Sequence, residues 1–446
     1  MQAFTKPKIV VEPPGPKAME IIKRDEKVTS PSLTRTAPLV GVKAEGVWVE
    51  DIDGNVYLDF GSGIAVVNIG HSNKKVSEAI KKQLESCDHI NSCDYYTVPQ
   101  VEYAEKLLAK LPGNFAKRVF FGNSGAEAVE CAIKVAKWHS RGKPYILGFI
   151  GGFHGRTMGA LSLTTTNISA RKYFFPMMPG VTHVPYAYCY RCVFKQNYPD
   201  CGMLCLGYIE DVVLKKLVPP DEVAGLIVEP IQGAGGYIVP PKEFLPGLRK
   251  MCDNYGITMI ADEIQTGFGR TGRMISCEHW NVIPDVIVMS KAMAAGLPMS
   301  ACIAKADFMD WAPNAHENTL GGNPVVVAAA LAVLDVLINE RLIENAEKVG
   351  AYMLKRFNEI MGECELVGDV RGKGMMIGIE LVKNRETKEY ATQERDKLVL
   401  RAFKRGLLIL GAGPSSIRLA PPMITTTEQA EVGIKIFEEE LKAVSK

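Results

Sequence analysis

An acid and an amine each follow a short apolar run in the middle of this chain. Residues 257–261 are followed by Asp262, and residues 286–289 are followed, after one serine, by Lys291. Apolar runs of this length, bounded by glycine and proline, are typical of strands buried on both faces of a parallel sheet. Ligands of such sheets bind at the carboxyl ends of the strands. We therefore expect Asp262 and Lys291 to lie in one site.

This pair of residue types favours a particular chemistry. A buried lysine with a lowered pKa can form a Schiff base with a carbonyl. Pyridoxal phosphate is held in this way, and a carboxylate that keeps its ring nitrogen protonated lets the ring take up electrons. The alternative interpretation, from spacing alone, is a salt bridge that closes the edge of the sheet.

The composition narrows the class of protein. The chain has 446 residues, 47% of them hydrophobic and 23% charged, which is ordinary for a globular protein of two or three domains. A net charge of +2 gives no long-range field, so we expect no nucleic-acid partner. No apolar run reaches the roughly 18 residues of a membrane span, and the start lacks the apolar segment of a signal peptide. We therefore expect a cytoplasmic protein that does not bind membranes.

The order of the elements predicts an α/β fold. From about residue 100 to 310, short apolar segments alternate with helical patterns, which indicates a mostly parallel sheet with helices on both faces. Residues 46–60 alternate apolar and polar side chains around Asp53-Gly54, the pattern of a β-hairpin. We predict a large domain over 81–330 and a small α+β domain over 331–446, which the N-terminal segment 1–80 joins.

Three further stretches carry residues suited to binding anions or flat rings. Ser124 and Glu127 form a capping-box pattern at the start of a helix, where the free N–H groups of Gly125 and Ala126 suit a phosphate. The alternative is a helix that is simply capped.

The second stretch, GGFHGRTMG, follows a predicted strand. Phe153 can stack on a ring beside His154, and Arg156 can hold a carboxylate, although a packed loop with a surface arginine is the alternative. The third, VEPIQGAGG, places Glu229 at a strand end, where it can pair with Arg156 or orient a substrate. Arg418 lies in an apolar stretch, so we expect it to have an anionic partner from the protein or from a ligand.

Eight markers in order resemble the class III pyridoxal-phosphate-dependent aminotransferases of fold type I, the ornithine/4-aminobutyrate type. The markers are GIAVVNIGH, NSGAEAVE, FHGRT, VEPIQG, ADEIQTGFGRTG, the lysine in SKAMAAGLP, NTLGGNP and IRLAPP. They cover nearly the whole chain, and their order is far more specific than any one of them. The resemblance implies an enzyme that moves an amino group from an amino acid, such as 4-aminobutyrate, to a 2-oxo acid, such as 2-oxoglutarate.

The resemblance also implies roles for individual residues. Lys291 matches the Schiff-base lysine that moves the proton, and Asp262 matches the partner of the pyridine nitrogen. The other implied cofactor residues are Gln265 at the ring hydroxyl, Ser124, Gly125 and Ala126 at the phosphate, Phe153 with His154 at the ring, and Thr319 at the phosphate of the neighbouring subunit. The last of these implies a homodimer with shared active sites, with larger assemblies left open.

The substrate side is implied by four positions. Arg156 matches the arginine for the distal carboxylate, and Arg418 matches the arginine for the α-carboxylate. Ile64 stands where ornithine-type members carry tyrosine, which favours a 4-aminobutyrate-type enzyme. Ala234 stands where enzymes for ω-amino donors usually carry a glutamate that covers the α-carboxylate arginine, which favours α-amino acids.

Two other functions remain open from the sequence. The same parts catalyse racemisation when the proton returns to the other face of the α-carbon, and some relatives in this family do so. A non-catalytic binding protein of the same fold is the second alternative, but Lys291 and Asp262 are both present.

A cluster of cysteines lies outside this constellation. Cys189-x-x-Cys192 and Cys201-x-x-x-Cys205 are close enough in sequence to form a tetrahedral thiolate site. Zinc is one candidate, and an iron–sulfur cluster, as in certain relatives, is another. Disulfides and reduced thiols are the alternatives, and we assign the cluster no catalytic role.

Overall fold

A seven-stranded sheet forms the centre of the computed structural model, which describes residues 4–445. Its strand order is β4-β10-β9-β8-β7-β5-β6. The strands are β4 Lys117–Gly122, β5 Tyr145–Phe149, β6 Val181–Val184, β7 Val223–Val228, β8 Thr258–Asp262, β9 Val286–Met289 and β10 Ser300–Lys305. Strands β5 to β9 pair in parallel, and β10 pairs antiparallel with both β4 and β9. The predicted α/β class with a mostly parallel sheet is confirmed.

The apolar runs are explained by the position of their strands. Every residue of β7, β8 and β9 is buried, because these strands lie inside the sheet with both faces covered. Asp262 is the last residue of β8, and Lys291 lies two residues beyond β9. The sheet therefore brings the acid and the amine to the same edge, as predicted.

Helices cover this sheet and build the rest of the molecule. They are α1 Pro16–Val28, α2 Ser62–Ala65, α3 Lys74–Ser86, α4 Val98–Leu108, α5 Gly125–His139, α6 Met158–Leu163, α7 Leu204–Tyr208, α8 Phe244–Tyr255, α9 Pro324–Asn339, α10 Leu342–Glu363, α11 Thr392–Lys404 and α12 Thr427–Val444. The strongly apolar α9 packs against α3, α4 and α10, which agrees with its interpretation as a buried helix. Among residues 4–445, no helix is long and apolar enough to cross a membrane.

Two smaller sheets lie outside the seven-stranded one. The first contains β1 Gly41–Glu45, β2 Trp48–Asp51, β3 Val56–Asp59 and β13 Leu407–Leu408, and the second contains β11 Val367–Lys373, β12 Met376–Leu381, β15 Ser416–Leu419 and β14 Leu410–Ala412. The predicted hairpin is present as β2 and β3, with Gly54 at a φ of 89° in the turn. Because β13 pairs in parallel with β3, both ends of the chain contribute to one sheet. We propose domain boundaries near residues 80 and 330 on this basis.

Candidate active site

A cavity of about 180 Å³ lies where β5, β7, β8 and β9 end. It is lined by Gly125, Ala126, Phe153, His154, Gly155, Glu229, Asp262, Ile264, Gln265, Ser290 and Lys291. The structure thus brings together all of the residues predicted to bind the cofactor except Ser124 and Thr319. A parallel sheet delivers them from stretches far apart in sequence, because each follows its own strand.

The amine of Lys291 faces the side-chain amide of Gln265. Lys291 Nζ donates a hydrogen bond of 3.3 Å to Gln265 Oε1. Burial lowers the pKa of Lys291 to about 8, although the negative charge of Asp262 acts in the opposite direction. A neutral amine is therefore accessible near physiological pH, which a lysine needs to attack a carbonyl.

Asp262 and His154 form a buried pair at the floor of the cavity. His154 Nδ1 and Asp262 Oδ2 are 2.7 Å apart, and both side chains are almost completely buried. Burial opposes the charged imidazole, but the hydrogen bond and charge of Asp262 outweigh it and raise the pKa of His154. His154 thus orients the Asp262 carboxylate, which is the group suited to a protonated ring nitrogen.

Glu229 is engaged by the backbone rather than by Arg156. Its two carboxylate oxygens accept hydrogen bonds of 2.9 Å from the N–H groups of Phe153 and Gly233. Burial raises the pKa of Glu229, and the nearby charge of Asp262 adds to this effect. No ion pair joins Glu229 to Arg156 within residues 4–445, which leaves the other role considered for Glu229, the orientation of a substrate. Arg156 lies over the Phe153 ring, with its Cζ 5.5 Å from the ring centroid.

The start of α5 offers backbone N–H groups to the cavity. Ser124 caps the helix by accepting a hydrogen bond of 3.2 Å from the Glu127 N–H. The prediction of a complete capping box is wrong. The Glu127 carboxylate accepts a hydrogen bond of 2.6 Å from the Asn123 N–H rather than from the N–H of Ser124. Gly155 packs directly on this turn: a Cβ at that residue would lie 2.8 Å from the Ala126 Cβ. Only glycine fits there, and its φ of 139° points to the same conclusion.

Ile64 lies on an unusual turn beside the lysine segment. Four consecutive residues, Ser62 to Ala65, have positive φ values of 48° to 67°. This left-handed turn, α2, contacts the short 3₁₀ helix that begins at Lys291. Non-glycine residues adopt this conformation at a cost, and such strain concentrates at functional sites. The sequence pattern GSGIA gave no indication of it.

Arg418 has no protein partner for its charge. No ion pair or hydrogen bond joins the Arg418 side chain to another residue within 4–445, and its Nε is buried without an acceptor. Burial lowers the pKa of Arg418. The alternative with a protein anion as partner is therefore not seen, and an anionic ligand remains the expected partner. Ala234 supplies no carboxylate to cover it.

Several predicted residues are absent from the cavity lining: Ser124, Ile64, Arg156, Arg418, Thr319 and the four cysteines. Thr319 is exposed and does not line the cavity of its own chain. The four cysteines Cys189, Cys192, Cys201 and Cys205 line a separate cavity of about 20 Å³ and are all free thiols. Within the described part of the chain, no three His, Cys, Asp or Glu side chains are arranged to hold a metal ion.

Sequence reasoning missed Tyr237 and the residues that hold it. The Tyr237 hydroxyl accepts a hydrogen bond of 2.7 Å from Gln265 Nε2. Its backbone carbonyl accepts one of 3.0 Å from Arg371, whose guanidinium also pairs with Glu380 at 2.8 Å. Tyr237 directly follows the VEPIQGAGG stretch, but nothing in that pattern indicates its contacts with Gln265 and Arg371, which only the three-dimensional structure reveals.

The residues of the cavity fit pyridoxal phosphate. Backbone N–H groups at the start of α5 suit its phosphate, Asp262 suits its ring nitrogen, and Lys291 suits its aldehyde. The buried Nε2 of His154, which has no hydrogen-bond partner among residues 4–445, also borders the cavity. The fold and this site together define a pyridoxal-phosphate-dependent transferase of fold type I.

Comparisons with known proteins identify the family. The family model "Aminotransferase class-III" matches residues 30–441. The chain is 40% identical to an alanine/serine racemase of Pyrococcus horikoshii over 98% of this chain and 93% of that protein. It is 38% identical to a 4-aminobutyrate aminotransferase of Mycobacterium leprae over 96% of each chain. Among solved structures, an amine transaminase from an uncultivated Pseudomonas species in its PLP-bound form has a TM-score of 0.86 and 32% identity, covering 94% of this chain and 98% of that one.

The chain belongs to the class-III aminotransferases, as the eight markers predicted. Its cofactor is pyridoxal phosphate, on which this family depends, and its fold is that of the family's solved structures.

Proposed function

We propose that this aminotransferase takes an amino group from an α-amino acid and passes it to a 2-oxo acid. The observation that carries this proposal is the partly buried guanidinium of Arg418, whose buried Nε has no acceptor within 4–445. An ionic group left without a partner in the protein is satisfied by a substrate carboxylate, which an arginine binds with two parallel hydrogen bonds. Because Ala234 cannot cover Arg418, substrates that lack an α-carboxylate leave this charge unsatisfied.

The proposed roles of the other residues follow from their positions. Bound pyridoxal phosphate supplies a carbonyl that condenses with amines and a ring that stabilises negative charge on the substrate carbon. Lys291 holds the cofactor, then accepts a proton from the substrate carbon and returns it as an acid. Asp262, supported by His154, keeps a proton on the ring nitrogen. Gln265 orients the ring hydroxyl, and Phe153 packs on the ring face.

Further parts of the proposal concern the ends of the cofactor and substrate. Ser124, Gly125 and Ala126 bind the phosphate through the turn that opens α5, and Thr319 reaches the phosphate in the partner subunit of a homodimer. Ile64 and Glu229 border the substrate, and Arg156 binds a distal carboxylate when one is present. The exposure of Arg156 and Thr319 supports these roles, since both side chains are accessible to a ligand or a partner subunit. We place the enzyme in the cytoplasm.

Racemisation is the second candidate, supported by a specific observation. An open Arg418 suits α-amino acids, and a protein 40% identical to this chain is described as an alanine/serine racemase. Both reactions begin with removal of the same proton by the lysine, so the binding residues alone do not separate them.

A half-reaction separates the two candidates. Purified holoenzyme is mixed with one amino acid and no 2-oxo acid, using alanine, leucine, glutamate, ornithine and 4-aminobutyrate in turn. The cofactor spectrum and the optical purity of the amino acid are followed together. Conversion of the cofactor to its amine form, with one equivalent of 2-oxo acid released per site, supports amino transfer. An unchanged spectrum with loss of optical purity would replace it by racemisation, and a faster reaction with 4-aminobutyrate than with any α-amino acid would refute the assigned donor class.

A further inference from the structure

Tyr237 lies at the junction between the cofactor residues and the unpartnered arginine. It is completely buried, at 1% exposure, and its hydroxyl accepts the 2.7 Å hydrogen bond from Gln265 Nε2. The backbone of this segment is fixed by Arg371, which donates to the carbonyls of Gly236 at 2.6 Å and Tyr237 at 3.0 Å. The phenol therefore has one defined position.

The direction of the Gln265 hydrogen bonds follows from the chemistry of its neighbours. Lys291 Nζ donates to the Gln265 oxygen, so the NH₂ group of Gln265 is the one turned toward Tyr237. The Tyr237 oxygen is then an acceptor in this contact, and its own hydrogen is left over. No residue within 4–445 accepts that hydrogen.

Tyr237 is a neighbour of Arg418 in the packing of β12 and β15. Gly378 on β12 is the cross-strand partner of Arg418 on β15, and a Cβ at Gly378 would lie only 2.9 Å from the Tyr237 Cβ. The missing side chain at Gly378 thus lets Tyr237 pack against the strand pair that carries Arg418. Burial raises the pKa of Tyr237, while the neighbouring charge of Arg418 acts against this, as expected for adjacent groups.

We propose that Tyr237 is a substrate-binding residue whose hydroxyl donates a hydrogen bond to the α-carboxylate held by Arg418. This inference rests on the proposed function, because it requires Arg418 to bind that carboxylate. The tyrosine then links specificity to the cofactor site: one hydroxyl accepts from Gln265 and donates to the substrate. An amine without a carboxylate leaves both the Arg418 guanidinium and the Tyr237 hydroxyl hydrogen without an acceptor.

Tyr237→Phe removes only the hydroxyl, and a carboxylate without an amine tests the proposal without turnover. The holoenzyme is titrated calorimetrically with propanoate, which carries the carboxylate without an amine, and with ethylamine, which carries the amine without a carboxylate. A hydrogen bond to a charged group is worth about tenfold or more in binding, so we expect the propanoate Kd to rise about tenfold or more and the ethylamine Kd to stay the same. Tyr103→Phe is the matched control, because Tyr103 is equally buried and its hydroxyl has no partner.

The outcomes distinguish this inference from the function on which it rests. Arg418→Gln should abolish propanoate binding if the α-carboxylate subsite is correctly placed. An unchanged propanoate Kd in Tyr237→Phe, with Arg418→Gln defective, would overturn the role of Tyr237 alone. An equal loss for propanoate and ethylamine would also overturn it, because Tyr237 would then act only through Gln265. Failure of the wild-type enzyme to bind propanoate would overturn both proposals.

Discussion

Glu380 is the centre of a buried polar network, and its charge should stabilise the protein strongly. Burial alone would raise the pKa of Glu380, but the charge of Arg371 and hydrogen bonds from Tyr188 and Ser416 lower it to about 2. The difference from the ordinary value of 4.5 corresponds to about 3 kcal/mol of stability. Because the folded-state pKa is the lower one, this contribution is present above pH 4.5 and is lost as the pH falls from 4.5 toward 2.

Glu380→Gln keeps the shape of the side chain and removes its charge. We expect the free energy of unfolding at pH 7 to fall by about 3 kcal/mol, measured by urea denaturation followed by circular dichroism. The difference from the wild type should shrink steadily below pH 4.5, since the wild-type carboxylate then also becomes neutral. Glu389→Gln is the matched control, because Glu389 pairs with Lys383 at the exposed surface and its loss should change little. Equal effects of the two substitutions, or a Glu380→Gln effect independent of pH, would refute this account of the network.

Three further predictions concern the active site. Ala234→Glu should raise the ratio of ω-amino to α-amino donor rates in steady-state assays by covering the α-carboxylate arginine, and an unchanged ratio would contradict that account. Mixed dimers of Lys291→Ala and Thr319→Ala chains should recover amino transfer, because one of their two sites receives both defects and the other none; no recovery would show that Thr319 acts within its own chain. Gly155→Ala should weaken cofactor binding in equilibrium dialysis by displacing the phosphate turn, whereas Gly142→Ala, with positive φ but open space around it, should not.

The part of the site that sequence predicts is the part that sheet topology positions. Apolar runs reveal strands, and Asp262 and Lys291 stand at the ends of two of them, so their proximity follows from the pairing of β8 and β9. The serine and glycine at the start of α5 likewise form a local pattern, a helix cap, that can be recognised from adjacent residues. These inferences need only short-range patterns and the general geometry of parallel sheets.

The hydrogen-bond partners inside the site could not be predicted from such short-range patterns. Gln265 and Tyr237 are separated by 28 residues, and His154 and Asp262 by 108, and no periodicity links them. The Glu229 carboxylate has a backbone partner, the N–H of Phe153, which side-chain identities do not reveal. A side chain at a strand end has several possible hydrogen-bond partners, and the packing of the folded protein determines which of them it contacts.

The contacts around the cavity bear on which reaction the site performs. Of its titratable side chains, Asp262 and His154 are hydrogen-bonded to each other at 2.7 Å, and Glu229 accepts two backbone hydrogen bonds. Lys291 has only the 3.3 Å contact with Gln265 and the lowered pKa of a usable base. Amino transfer requires one group that moves a proton along one face of the substrate, and Lys291 meets that requirement. Racemisation requires delivery to both faces, so it needs Lys291 to serve both sides or a second proton carrier from the partner subunit. Amino transfer therefore needs no proton carrier beyond Lys291, and the half-reaction described above decides between the two reactions.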